Sequence, residues 1–169
     1  MKIDIMTIGK IKEKFFRDTI TEYSKRLSAY CSLKIIEVDD EKIPENANSS
    51  EEEMIKKKEA DKILKLLNKN NAGCYKSGSD TMIITLEING QSFSSEGFAN
   101  KLQELSLHGI SHFIFIIGGS LGLHSELSEI SDFRLSFSEM TFPHQLMRVI
   151  LLEQIYRSFR IIHGEPYHK

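Results

Sequence analysis

Apolar and polar positions repeat with two periods along this chain, and the change from one to the other marks out its elements. Ile3, Ile5 and Ile8 are interleaved with Asp4 and Thr7 and end at Gly9, the pattern of a strand followed by a turn. Between residues 12 and 30 the apolar positions Phe15, Phe16, Ile20, Tyr23, Leu27 and Tyr30 fall mostly three and four apart, which predicts an amphipathic helix. Leu33 to Val38 predicts a second strand, and the polar stretch from Asp39 to Ser50 a loop. A charged helix is expected over residues 51–69, with Ile55, Ile63, Leu64, Leu66 and Leu67 toward its buried side. Residues 70–80 are rich in Asn, Gly and Ser and read as a flexible loop. Thr81 to Ile88 is the third strand, closed by the turn pair Asn89-Gly90. Ser94, Ser95 and Glu96 open a helix that runs to about Leu107. His112 to Ile117 is apolar almost throughout, as expected of a strand buried on both faces. A glycine loop, a short helix over about 124–131 and a fifth strand from Phe133 to Phe137 follow. Pro143 pre-sets the first turn of a long helix reaching about Ile162, and a polar tail ends the sequence.

Strands that alternate with helices imply an α/β fold: a mostly parallel sheet with helices on both faces. The length of 169 residues favours a single domain, and no internal repeat divides it. Such sheets bind ligands beyond the carboxyl ends of their strands. The candidate positions are therefore Leu86–Asn89, Gly118–Gly122 and Ser138–Pro143.

Composition narrows the class without naming a function. The chain is 40% hydrophobic and 27% charged, the balance of an ordinary globular protein, and no apolar run reaches a membrane span. Asp4 interrupts the first apolar stretch, which argues against a signal peptide and for a cytoplasmic protein. Cys31 and Cys74 match no metal or redox spacing. The net charge of −2 gives no global reason for a nucleic-acid partner, but its distribution is uneven. Residues 10–34 hold seven Lys/Arg against three Asp/Glu, whereas residues 37–62 hold ten acids against five bases, so a basic face remains available to phosphates.

Three segments carry candidate chemistry. Gly118-Gly119-Ser120-Leu121-Gly122 joins a buried strand to a helix, where glycines let backbone N–H groups approach a ligand. It has neither the Lys of a phosphate loop nor the spacing of a dinucleotide fingerprint. Leu135 to His144 alternates small hydroxyls, a carboxylate and apolar residues around the start of a proline-started helix; taken alone, Thr141 reads as a helix cap. The long helix carries a broad apolar face that suits a dimer interface, followed by the tail Gly164-Glu165-Pro166-Tyr167-His168-Lys169. His108, His112 and His124 read as structural or exposed, and no histidine set has metal-ligand spacing, so no metal is expected.

Together these motifs resemble the ribosomal RNA large-subunit methyltransferase H family, small methyltransferases of the SPOUT class. The resemblance rests on Phe115 to Leu123, on Leu135 to Gln145, on Arg148-Val149 with Glu153 to Arg157, and on the ending Gly164 to Lys169. Ile8-Gly9-Lys10 and Glu22 to Leu27 match as well, while the loop around Ala72–Asp80 looks longer than is usual in that family. The resemblance implies one SPOUT domain over residues 1–169, with a trefoil knot and donor site in about 82–165. It implies S-adenosylmethionine as methyl donor, held by Leu86, Gly119, Ser138, Glu139, Met140, Thr141, Phe142 and Pro143. It further implies a homodimer in which the partner's surface completes each site, and a pseudouridine in helix 69 of 23S rRNA, methylated at N3 on the assembled 70S ribosome.

For such a reaction the imide proton at N3 must leave, which calls for a base or a cation that stabilises the anion. His168 is the first candidate base, Tyr167 a group to stack on or hydrogen-bond the acceptor, and Arg157 a cation for the anion or for phosphate. Arg148 and Lys169 are further phosphate grips, and Glu139 a weaker base. The competing class is a non-catalytic ribosome- or RNA-binding factor with a nucleotide-like ligand.

Overall fold

The computed structural model describes residues 1–70 and 80–167. Five strands form one sheet: β1 (Lys2–Ile8), β2 (Ser32–Val38), β3 (Thr81–Ser92), β4 (His112–Ile117) and β5 (Phe133–Ser136). Five helices connect and cover them: α1 (Lys14–Leu27), α2 (Ser49–Asn70), α3 (Ser95–Leu107), α4 (Ser125–Ile130) and α5 (His144–Ile162). The strand order is β2-β1-β4-β3-β5 and every pairing is parallel, so the sheet is wholly parallel.

The two faces follow from residue parity. Ile3 and Ile5 of β1, with Phe113, Phe115 and Ile117 of β4, pack under α1, α3 and α5. Met6 and Ile8, with Ile114 and Ile116, pack under α2 and α4. Successive side chains of a strand point to opposite faces, which is why β4 has no polar residue after His112. Helix α5 packs against both α1 and α3. Its residues Leu151, Leu152, Ile155 and Phe159 are buried in the first cluster.

Two local differences from the sequence reading have physical causes. Asn89-Gly90 does not close β3; the strand runs on to Ser92, with a register shift against β5 between Leu86 and Gln91. A Cβ on Gly90 would come within 2.7 Å of the Leu135 backbone, so glycine is required there by close strand approach. Thr141 is exposed and does not cap α5; Pro143 stands at the N-cap, just before the helix, with no side-chain bond to it. Ser94 does cap α3, accepting from the Gly97 N–H at 3.0 Å. Cys31 is buried, which pushes its thiol up to about 11, while Cys74 and the greater part of the 70–80 loop lie outside the described residues.

Candidate active site

Because β4, β3 and β5 are neighbours in the sheet, the segments that leave their carboxyl ends sit side by side. They enclose a cavity of about 900 Å³. That volume lies in the range of small-molecule sites. Its walls are Leu86 to Asn89 after the core of β3, Ile117 to Leu123 after β4, and residues 135–147 after β5, apart from Ser136, Glu139 and the two α5 residues Gln145 and Leu146. Of the donor contacts expected from sequence, Leu86, Gly119, Ser138, Met140, Thr141, Phe142 and Pro143 line it. Glu139 is exposed and does not.

The walls are fixed by tight backbone packing. Gly119 accepts from the Gly122 N–H at 3.1 Å, and Gly122 has φ +82°. A Cβ on Gly118 would lie 2.7 Å from the Gly122 carbonyl carbon, so the turn folds on itself only because that side chain is missing. Ser136 Oγ shares its one proton between the Ile88 carbonyl at 2.9 Å and the Ser138 carbonyl at 3.2 Å, tying two walls together. Ser138 Oγ accepts from the Met140 N–H at 2.9 Å and shapes the third. His144 also lines the cavity, and sequence reading gave it no role beyond a helix start. Burial, then the nearby Arg148 charge, lower its pKa and so disfavour the imidazolium form.

Arg148 is not a phosphate grip. Its side chain is 1% exposed and donates to Glu37 Oε1 at 2.8 Å, the Ile8 carbonyl at 2.9 Å and the Gly9 carbonyl at 2.6 Å. Carbonyls and a carboxylate take up its terminal N–H groups, while Nε is buried without a partner among the described residues, so this residue joins α5 to the end of β1.

The other catalytic candidates form a second cluster on α5. Arg157 donates from Nε at 2.9 Å and from Nη2 at 2.6 Å to Glu153 Oε1. Its guanidinium lies 4.8 Å from the Tyr167 ring centroid, and Tyr167 Oη donates to Glu153 Oε1 at 3.4 Å. Glu153 therefore organises both residues, a role that its i, i+4 spacing from Arg157 signals in the sequence. The tail reaches this place by turning back at Gly164, φ +65°. Glu165 secures it, accepting at 2.5 Å from Tyr30 Oη and pairing at 2.5 Å with Arg160. His168 and Lys169 lie outside the described residues. Neither Arg157 nor Tyr167 lines the cavity. Glu153 stands six residues beyond Met147, the last cavity residue of α5, which is about 9 Å of helical rise. Donor and catalytic candidates are thus separate clusters within one chain.

A family model described as "Predicted SPOUT methyltransferase" matches residues 1–168. The chain belongs to the SPOUT methyltransferase family. SPOUT membership makes it an S-adenosylmethionine-dependent methyltransferase. The cavity's apolar walls and its backbone groups suit an adenosine with a methionine arm. Among the described residues no group could hold a metal ion, and no helix is long and apolar enough to cross a membrane.

A Methanococcus maripaludis protein is 60% identical to the chain, and the ribosomal RNA large subunit methyltransferase H of Acetivibrio thermocellus and that of Bifidobacterium adolescentis are each 53% identical. All three alignments span 169 residues and 100% of both chains. The fold is similar to that of a probable methylase family protein from Haemophilus influenzae (TM-score 0.53, 10% identity, 99% of this chain and 70% of that one). It is also similar to the SpoU methyltransferase AviRb of Streptomyces viridochromogenes (TM-score 0.50, 10% identity, 96% of this chain and 61% of that one).

Proposed function

We propose that this SPOUT methyltransferase transfers a methyl group to N3 of a pseudouridine in helix 69 of large-subunit rRNA, on the assembled ribosome in the cytoplasm. The observation that carries this reading is identity of 53% over the full length of two proteins named ribosomal RNA large subunit methyltransferase H. The donor occupies the cavity at the ends of β3, β4 and β5, against Leu86, Gly119, Ser138 and Met140 to Pro143, with Glu139 at its outer margin. Residues 1–169 act as one domain, and the segments after β4 and β5 form a trefoil knot within about 82–165.

The donor's sulfonium supplies an electrophilic methyl group. The protein's contribution is orientation and charge. The three walls hold the donor rigidly, and fixed orientation is worth up to roughly 7–11 kcal/mol of barrier. The acceptor N3 loses its proton as it forms the bond to the methyl carbon, and the breaking C–S pair stays on sulfur. His168 takes that proton, Arg157 stabilises the imide anion and Tyr167 packs against the base. Arg157 is suited to this, because the Glu153 carboxylate beside it raises its pKa and keeps it cationic.

The separation of the two clusters supports a homodimer in which the partner's α5 and tail complete each donor cavity. Leu146, Val149, Ile150 and Ile161 give α5 an outward apolar strip, each only partly exposed, that suits such packing. The test is transfer of labelled methyl groups to ribosomes that lack the modification. A non-catalytic RNA-binding factor binds them without transfer.

A further inference from the structure

Glu59 lies on the buried side of α2 among Ile55, Ala60 and Ile63 and is 5% exposed. One carboxylate oxygen, Oε1, accepts from the Glu41 N–H at 2.9 Å. The other, Oε2, faces the donor cavity's wall: a Cβ on Gly119 would lie 3.2 Å from it and 3.0 Å from Ile8 Cγ2. Gly119 is therefore clamped from behind by an aliphatic group and a carboxylate, while its other side lines the cavity. Among the described residues no cation lies within salt-bridge distance of Glu59. Lys62, the base whose charge acts on Glu59, is held at 2.5 Å by Glu41 and at 2.8 Å by the Asp39 carbonyl.

A buried carboxylate without a paired cation is costly, and glutamine would make the same bond to Glu41 without that cost. The donor and its product share every heavy atom except one methyl group, but the donor carries a positive charge and the product does not. A negative charge behind the wall therefore distinguishes them. We infer that Glu59 is a positioning residue of the donor site, holding the Gly119 turn from behind and placing a negative charge that favours the cationic donor over its neutral product. This rests on the donor reading of the cavity. It gives the enzyme a way to release S-adenosylhomocysteine without loosening the walls that both molecules contact.

The experiment is calorimetric measurement of S-adenosylmethionine and S-adenosylhomocysteine binding to the full chain, in wild type, Glu59→Gln and Glu59→Asp. For Glu59→Gln the expected result is a preference for S-adenosylmethionine reduced about tenfold or more, the effect of one charge at about 10 Å with an effective dielectric of about 20, with product affinity unchanged. Glu59→Asp retains the charge and is expected to keep the preference even where both affinities fall. Equal loss of both ligands in Glu59→Gln, or an unchanged ratio, overturns the inference and leaves the donor site intact. A wild-type chain that binds neither molecule removes the donor reading, and this inference with it.

Discussion

The Arg148 guanidinium donates to the carbonyl of Gly9, the residue just beyond β1, at 2.6 Å from a position 139 residues later in the chain. This bond, with those to Ile8 and Glu37, fixes where α5 begins relative to the sheet, and hence where His144 and Met147 enter the cavity wall. Arg148→Met keeps the apolar stem but leaves two buried carbonyls unpaired. It is expected to destabilise the chain by about 2–4 kcal/mol, read as a lowered urea midpoint. Loss of stability with an unchanged KM for ribosomes separates this anchoring role from a phosphate contact.

Gly118 makes the sharpest steric prediction. A methyl group there must displace the Gly122 carbonyl from 2.7 Å. Gly118→Ala is expected to fold, since the strain falls on a turn outside both core clusters, and to lose tenfold or more (about 1.4 kcal/mol) in donor affinity by calorimetry. Wild-type affinity in this variant removes the turn from the donor site.

Tyr167, His168 and Lys169 do not contribute to the donor cavity of their own chain in the proposed arrangement. Deleting residues 167–169 should leave donor binding intact and abolish methyl transfer. Mixing that truncated chain with Gly118→Ala, after dissociation and reassembly, should restore activity, because one site per mixed dimer has an intact turn and an intact partner tail. A mixture as inactive as its components rules out a shared site.

Burial raises the Glu59 pKa above its ordinary 4.5, so the fold disfavours its charged form. For a carboxyl raised in this way, the stabilising contribution is complete below about pH 4.5 and is lost as pH rises through the folded value. Glu59→Gln is expected to raise the melting temperature at pH 7, with the gain disappearing near pH 4 in a thermal melt followed by circular dichroism. No gain at pH 7 contradicts a destabilising charge at this position.

The alternation of Ile3 to Ile8 and the unbroken apolar run of β4 placed the sheet and its helices correctly, because burial on one or both faces writes directly into local sequence. Strand order is not local, and only the pairing of β3 with both β4 and β5 brings the three candidate loops together. Seven of the eight expected donor contacts line the cavity, since backbone walls follow from the positions of strand ends. Arg148 misled because a basic residue near a ligand loop looks like an anion grip, and nothing nearby in sequence announces the carbonyls of Ile8 and Gly9. Glu59 was hidden for the same reason: on a helix this charged, only the packing of α2 against Gly119 singles out one carboxylate.

The most direct test of the proposed activity uses ribosomes from a strain lacking its own enzyme for this modification, incubated with the purified chain and S-adenosylmethionine carrying a labelled methyl group. Nucleosides released from the rRNA are then separated and identified by mass spectrometry. Under the proposed activity the label appears in N3-methylpseudouridine from helix 69 of the large subunit. Absence of label, or label in another nucleoside, contradicts it.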